Sequence, residues 1–219
     1  MKIWNQNSKD TNSAIDNFLS GEDIVLDQEL FLFDIQASIA HSHELKEIKV
    51  LNATECKKII ASLNKLTRLF KARKFKLTKK YEDCHSAIED FLIKELGPIG
   101  KKIHTGRSRN DQVMVAMRLY AQAKLIEIQS ANLKIAKVFL NMAVKHSADP
   151  MPGYTHLQRA MPSTWGLWFG AFAESFTDNA ELLKSIRVWI NINPLGTAAG
   201  YGVNLPIKRN ISTKKLNFK

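Results

Sequence analysis

Two short polar clusters interrupt a chain that is otherwise patterned for apolar packing, and both combine residue types that bind anions or move protons. The first reads His104-Thr105-Gly106-Arg107-Ser108-Arg109-Asn110-Asp111-Gln112. Its guanidinium groups offer planar, paired donors that match a carboxylate, and it stands where a long helical pattern begins, so the first backbone N–H groups of that helix add to the attraction. The same residues also suit an N-capping loop, with Ser108 or Asn110 as the cap and the arginines facing water. The second cluster is Tyr154-Thr155-His156-Leu157-Gln158, held between Gly153 and Pro162. Histidine is the natural proton carrier near neutral pH, and His156 has a hydroxyl beside it and an amide two residues on. A third stretch, Glu82-Asp83-Cys84-His85, reads as a helix start whose acids favour its positive end, and neither acid is assigned a catalytic role.

The elements that must position these clusters are helical. Ile35, Ile39, Leu45 and Ile48 give Asp34 to Ile48 the spacing of an amphipathic helix, and Asn52 or Thr54 can cap the next, which carries Ile59, Ile60, Leu63, Leu66 and Leu69. These faces read as packing surfaces. From Asp111 to Asp149 there is neither Gly nor Pro, and Val115, Leu119, Ala123, Ile126, Leu133, Ala136, Leu140 and Ala143 recur with a mean period near that of a bundle seam. Such a helix would be about 58 Å long at 1.5 Å per residue, too long for a compact domain of this size to cover alone. Pro150, Pro152 and Gly153 end it, and Pro162 is placed to open the next helix, running to Ile190 and apolar on nearly every side at first (Trp165, Leu167, Trp168, Phe169, Phe172). Asn191 to Gly202 reads as an ordered, glycine-rich loop. The expected class is all-α, with a helical N-terminal domain over residues 1–108 and the first part of a central helical-bundle domain, truncated, over 109–219.

Composition narrows the functions. The 219 residues are 45% hydrophobic, which suits a globular core. No secretory h-region or membrane-spanning run is visible, so a soluble, cytoplasmic protein is expected. Cys56 and Cys84 suggest neither a disulfide framework nor zinc, His41 and His43 point to different helix faces, and no metal site is expected. The net charge of +11 reflects basic runs at Lys71 to Lys80 and Lys208 to Lys219. Nucleic-acid binding would account for them, but few aromatic residues accompany the runs and no recognised module surrounds them, so a solvated basic face that attracts an anionic substrate is favoured.

Thr105 to Gln112, TGRSRNDQ, together with Pro152 to Gln158, PGYTHLQ, resembles argininosuccinate lyase, within the fumarase and aspartase superfamily. Glu82 to His85 resembles that family's acidic-histidine motif, and Asn193 to Arg209, NPLGTAAGYGVNLPIKR, resembles the loop leading to its later helices. The resemblance implies reversible elimination of argininosuccinate to arginine and fumarate, in arginine biosynthesis, without a cofactor. By position it implies His156 as the catalytic histidine and Arg109, Asn110, Thr155, Gln158, His85 and Ser20 as substrate-binding residues, with Asp23 an alternative to Ser20. It also implies a homotetramer whose active sites are each assembled from three subunits around a central helical bundle.

The family's flexible Gly-Ser-Ser loop, which supplies a serine thought to act as the base, is not found before the chain ends at Lys219. Roughly half the expected enzyme is absent, so this chain is expected to be inactive alone and to expose faces that aggregate or await a partner. Two competing expectations are a non-catalytic structural or assembly subunit of the same fold, and another fumarate-releasing lyase such as adenylosuccinate lyase or fumarase.

Overall fold

The computed structural model describes residues 21–219. It is mainly helical, as the patterning predicts: α1 (Asp23–Glu47), α2 (Ala53–Lys71), α3 (Cys84–Leu96), α4 (Pro98–Lys101) running into a 3-10 turn (Lys102–His104), α5 (Arg109–Lys145), α6 (Trp165–Ile190) and α7 (Arg209–Lys215). The described chain divides into two compact units. One contains residues up to Tyr120 together with Ile192–Lys219, and the other is Ala121–Asn191.

Helix starts follow local chemistry. Asn52 caps α2 in a reciprocal box: its Oδ1 accepts from the Glu55 N–H at 2.8 Å while its own N–H donates to Glu55 Oε2 at 2.9 Å. Asp83 does the same for α3 with Ser86. Helix α1 begins well before Asp34, because the preceding turns contain no Gly or Pro to stop it.

The first unit has two apolar clusters. In one, Phe31, Ile35 and Leu45 of α1 meet Ile59, Leu63 and Leu66 of α2 and Ile88 and Leu92 of α3, all at most 1% exposed. Phe31 also packs on Phe70 and Phe75, with ring centroids 4.4 and 5.6 Å away. Full burial of each such side chain is worth about 1.5–3 kcal/mol. In the other, Ala37 and Ala40 of α1 pack with Val115 and Leu119 of α5, Leu195, Leu216 and Phe218. Helix α1 is therefore covered on opposite sides by different elements.

The second unit corrects one expectation. Pro162 does not open a helix but lies in an antiparallel hairpin of β1 (Pro150–Thr155) and β2 (Gln158–Thr164), opposite Pro152. A two-stranded ribbon has a free edge on each side, so a proline can turn its missing donor outward there. The register shifts between Pro152 and Tyr154, where Gly153 approaches the facing strand so closely that an added Cβ would lie 2.4 Å from Met161 O. Helix α6 starts three residues after Pro162, capped by Thr164, whose Oγ1 accepts from Leu167 N–H.

Phe139 of α5 stacks on Phe169, Phe172 and Phe176 of α6, centroids 5.2–6.2 Å apart. Much of the remaining apolar surface of these helices, including Ile126, Leu133, Leu140, Leu167, Leu182 and Trp189, is exposed in this chain. No helix among the described residues is long and apolar enough to cross a membrane.

Candidate active site

Asp34, Ser38 and His41 occupy one face of α1, four and three residues apart, and all three are fully buried. This polar stripe grips the turn that precedes α5 and the start of α3. Asp34 Oδ2 accepts from His85 Nδ1 at 2.7 Å and its Oδ1 accepts from Gln112 Nε2 at 3.3 Å. Ser38 Oγ accepts from the Arg107 guanidinium at 2.9 Å. His41 Nε2 donates to the Thr105 carbonyl at 2.9 Å, and its Nδ1 lies 3.1 Å from Glu44 Oε2. The turn is closed from its own side by Asp111, whose Oδ1 accepts from Ser108 N–H at 2.9 Å, while Ser108 Oγ accepts from Asn110 N–H at 3.3 Å. Ser108 thus serves as the cap of α5, and Asn110 lies inside the helix.

Between this turn and α3 is a cleft of about 480 Å³ lined by His85, Glu89, Arg107, Ser108, Arg109 and Asn110, among others. The start of α5 forms part of its wall, and four positively charged or potentially charged side chains, those of His85, His104, Arg107 and Arg109, line it. Arg109 is not a free fork. Its NH1 pairs with Glu82 Oε1 at 2.7 Å and its Nε with Asp83 Oδ2 at 2.9 Å, at 37% side-chain exposure. Arg107 is turned inward and buried, contrary to the reading in which both arginines face water.

The electrostatics of the Asp34–His85 pair run in one direction. Burial opposes charge on both, but His85, then Arg107 and Gln112, hold the Asp34 carboxyl below the usual 3.8. Asp34 in turn, with Asp83 and Asp27, holds the His85 imidazole above the usual 6.5. His85 Nε2 is buried with no partner among the described residues. Burial, with help from Arg107, pushes His41 the other way, below 6.5, consistent with a neutral ring that donates to a carbonyl.

Ligand atoms of Asp34, Cys84 and His85 lie within 4.8 Å of one another. Burial and then Asp34, Asp27 and Asp83 push the Cys84 thiol far up from its ordinary value, and His85 Nδ1 is engaged with Asp34 at 2.7 Å.

In the second unit, Thr155 ends β1 and Gln158 begins β2, paired across a two-residue turn made of His156 and Leu157. Both turn residues have positive φ, 48° and 61°. That is the geometry of a type I′ turn, for which Asn-Gly is the favoured pair. Thr155, His156 and Gln158 are all exposed at this tip.

The structure therefore gathers His85, Arg109 and Asn110 at the cleft of one unit, and Thr155, His156 and Gln158 at the hairpin tip of the other. Ser20 lies outside the described residues. Asp34, Ser38, His41 and Glu44 were not foreseen as site residues. The available signal was a set of polar side chains at one helical face, 34, 38 and 41, interleaved with the apolar Phe31, Ile35, Ala37, Ile39 and Ala40.

The chain belongs to the lyase family, whose model, described as Lyase, matches residues 7–219. Over 216 residues, 99% of its length, it is 45% identical to the argininosuccinate lyase of Stenotrophomonas maltophilia (strain R551-3) and equally so to that of Xanthomonas oryzae pv. oryzae (strain PXO99A). The chain spans about half (50%) of the length of these curated relatives. Among solved structures it is similar to EDDS lyase in complex with formate, with a TM-score of 0.77 and 25% identity, over 88% of this chain and 39% of that one. A fumarate lyase:delta crystallin structure from Brucella melitensis, at a TM-score of 0.72 and 18% identity, covering 92% of this chain and 48% of that one, has the same fold.

Proposed function

We propose that this chain provides the amino-terminal part of an argininosuccinate lyase, which eliminates arginine from argininosuccinate to leave fumarate. The observation that carries this reading is the 45% identity to argininosuccinate lyases across 99% of the chain, a span that includes both polar clusters. In the elimination a base takes the proton from the carbon next to a carboxylate, the C–N bond breaks, its electrons leave on the guanidino nitrogen, and that nitrogen is protonated. Negative charge builds on the substrate carboxylate in between. Arg109, Asn110 and His85, with the first N–H groups of α5, are assigned to holding carboxylate oxygens. Thr155 and Gln158 are assigned to substrate binding and His156 to proton transfer. Ser20 is assigned as a further substrate contact. No cofactor takes part.

The turn geometry supports a role for His156. A non-glycine residue with left-handed φ costs about 1–2 kcal/mol, and such costs are characteristic of positions kept for function. Turnover is assigned to the complete lyase, a homotetramer of cytoplasmic location. The uncovered apolar faces of α5 and α6 support association with further helices. The 219-residue chain by itself is expected to release no fumarate.

The test is a chimera in which these 219 residues replace the matching half of the Stenotrophomonas enzyme. Fumarate release from argininosuccinate, followed by ultraviolet absorbance, is the expected result. A folded tetrameric chimera that cleaves adenylosuccinate but not argininosuccinate would transfer the assignment to another fumarate-releasing lyase. One that cleaves neither would favour a non-catalytic assembly role, a reading that the exposed helix faces also accommodate.

A further inference from the structure

We propose that Asp34 is a positioning residue for the cleft: it fixes the His85 ring with Nδ1 tied back to α1, so that Nε2 carries a proton and offers a cationic donor to a carboxylate of a small dicarboxylate ligand. The ligand class rests on the function proposed above, whereas the state of His85 does not.

The geometry leaves little alternative. Asp34 has no solvent exposure and its two oxygens are taken by His85 and Gln112, so its charge cannot be screened by water. The 2.7 Å contact to His85 falls in the range of charge-assisted N–H···O bonds rather than neutral ones. A carboxylate only accepts, so the proton in this contact lies at His85 Nδ1, and the one polar atom of the ring left unpartnered is Nε2.

The charged groups around the ring come from every packed element. Asp27 and Asp34 lie on α1; Asp83 caps α3, which also carries Glu89; and His104, Arg107 and Arg109 belong to the turn before α5 and its first residue. Asp34, Asp83 and Asp27 together outweigh burial in setting the charge of the ring. The result is a buried N–H donor with no acceptor among the described residues. A ligand oxygen at that point would complete it, and Asn110 and the start of α5 on the same wall would meet the rest of an extended anion. Arg109 is already paired with Glu82 and Asp83, whereas His85 Nε2, like Arg107 Nε, has no acceptor to give up among the described residues.

The experiment is a ¹⁵N NMR titration of the imidazole rings of the 219-residue chain, with the His85 signal assigned by its loss in His85→Gln. In the wild type, His85 is expected to remain doubly protonated at pH 7. In Asp34→Asn its midpoint is expected to fall by at least one pH unit, with helical circular dichroism retained, and Asp34→Glu is expected to restore part of the shift. A purely structural tie would leave the titration of the ring unmoved. Succinate added to the wild type is expected to shift the Nε2 signal, at concentrations about tenfold lower than in Asp34→Asn.

A neutral wild-type His85 at pH 7, a titration unaltered by Asp34→Asn, or a ring insensitive to succinate would each overturn the proposal. The wild-type titration stands even where the variant fails to fold. It also needs no turnover: a chimera inactive on argininosuccinate leaves it intact, and a neutral His85 overturns it even in an active lyase.

Discussion

The carboxylate of Asp111 fastens the backbone of Gly196, 85 positions further along the chain, through an N–H···Oδ2 bond of 2.9 Å. The same oxygen accepts from Ala198 N–H at 3.0 Å, and the other oxygen closes the turn at Ser108. One side chain thus holds both the entrance to α5 and the glycine-rich loop. Gly196 itself has φ of 96°, and an added Cβ would lie 2.9 Å from Arg209, whose guanidinium spans the Asn193 and Leu195 carbonyls of that loop.

Replacing Asp111 by Asn removes acceptor capacity from a side chain that is 1% exposed and leaves buried N–H donors unsatisfied. The expected loss is about 2–4 kcal/mol. Guanidinium unfolding should show an earlier midpoint with an unchanged slope.

The turn at His156-Leu157 yields opposite signs for stability and activity. Leu157→Gly removes the cost of a 95% exposed leucine at φ of 61° and should stabilise the chain by up to about 1 kcal/mol. His156→Asn also suits a type I′ turn and should stabilise by a few tenths to about 1 kcal/mol. In the chimera the same His156→Asn is expected to lower turnover by about 10²–10⁴-fold. Thermal melts and fumarate assays on one set of variants read both effects.

Arg109 separates binding from folding. Its ion pairs are 37% exposed on the arginine side, so Arg109→Ala should cost at most about 1 kcal/mol of stability. Loss of charge-assisted contacts to a substrate carboxylate should lower kcat/KM of the chimera by about 10–100-fold or more. Arg109→Lys should recover little of it, because an ammonium cannot reproduce the planar fork.

The Asp34–His85 pair gives a signed pH dependence. His85, held above 6.5, contributes fully below that pH and loses its contribution as pH climbs through the raised value. Asp34, held below 3.8, contributes fully above that pH and loses its contribution as pH falls through the lowered value. The difference in unfolding free energy between wild type and Asp34→Asn should therefore be greatest between pH 3.8 and 6.5 and shrink above 6.5. Taking the difference matters, because His41, held below 6.5 by burial, acts oppositely, its contribution fading as pH drops below 6.5. Denaturant midpoints across pH for both proteins measure it.

The helices were legible because their signals are local: the box at Asn52 and Glu55, the unbroken run of α5, the spacing of Ile59, Leu63 and Leu66. The hairpin was not, because Pro162 is equally suited to a first helical position and to a ribbon edge, and the choice depends on pairing with Pro152. Arg109, Asn110 and His85 could be singled out by residue type and by resemblance, and the structure places all three at one cleft. The α1 stripe escaped notice because Asp34, Ser38 and His41 become neighbours of His85, Arg107 and Thr105 only after chain segments more than 50 residues apart meet.

That stripe also fixes where α1 sits along its own axis. Apolar side chains tolerate sliding, since one leucine replaces another at modest cost. Moving α1 by a single turn would set Ser38 opposite His85 and strand Asp34 against apolar neighbours, leaving a buried charge unmatched. The polar contacts thus act as an indexing device, rejecting near-miss packings that hydrophobic burial alone would accept.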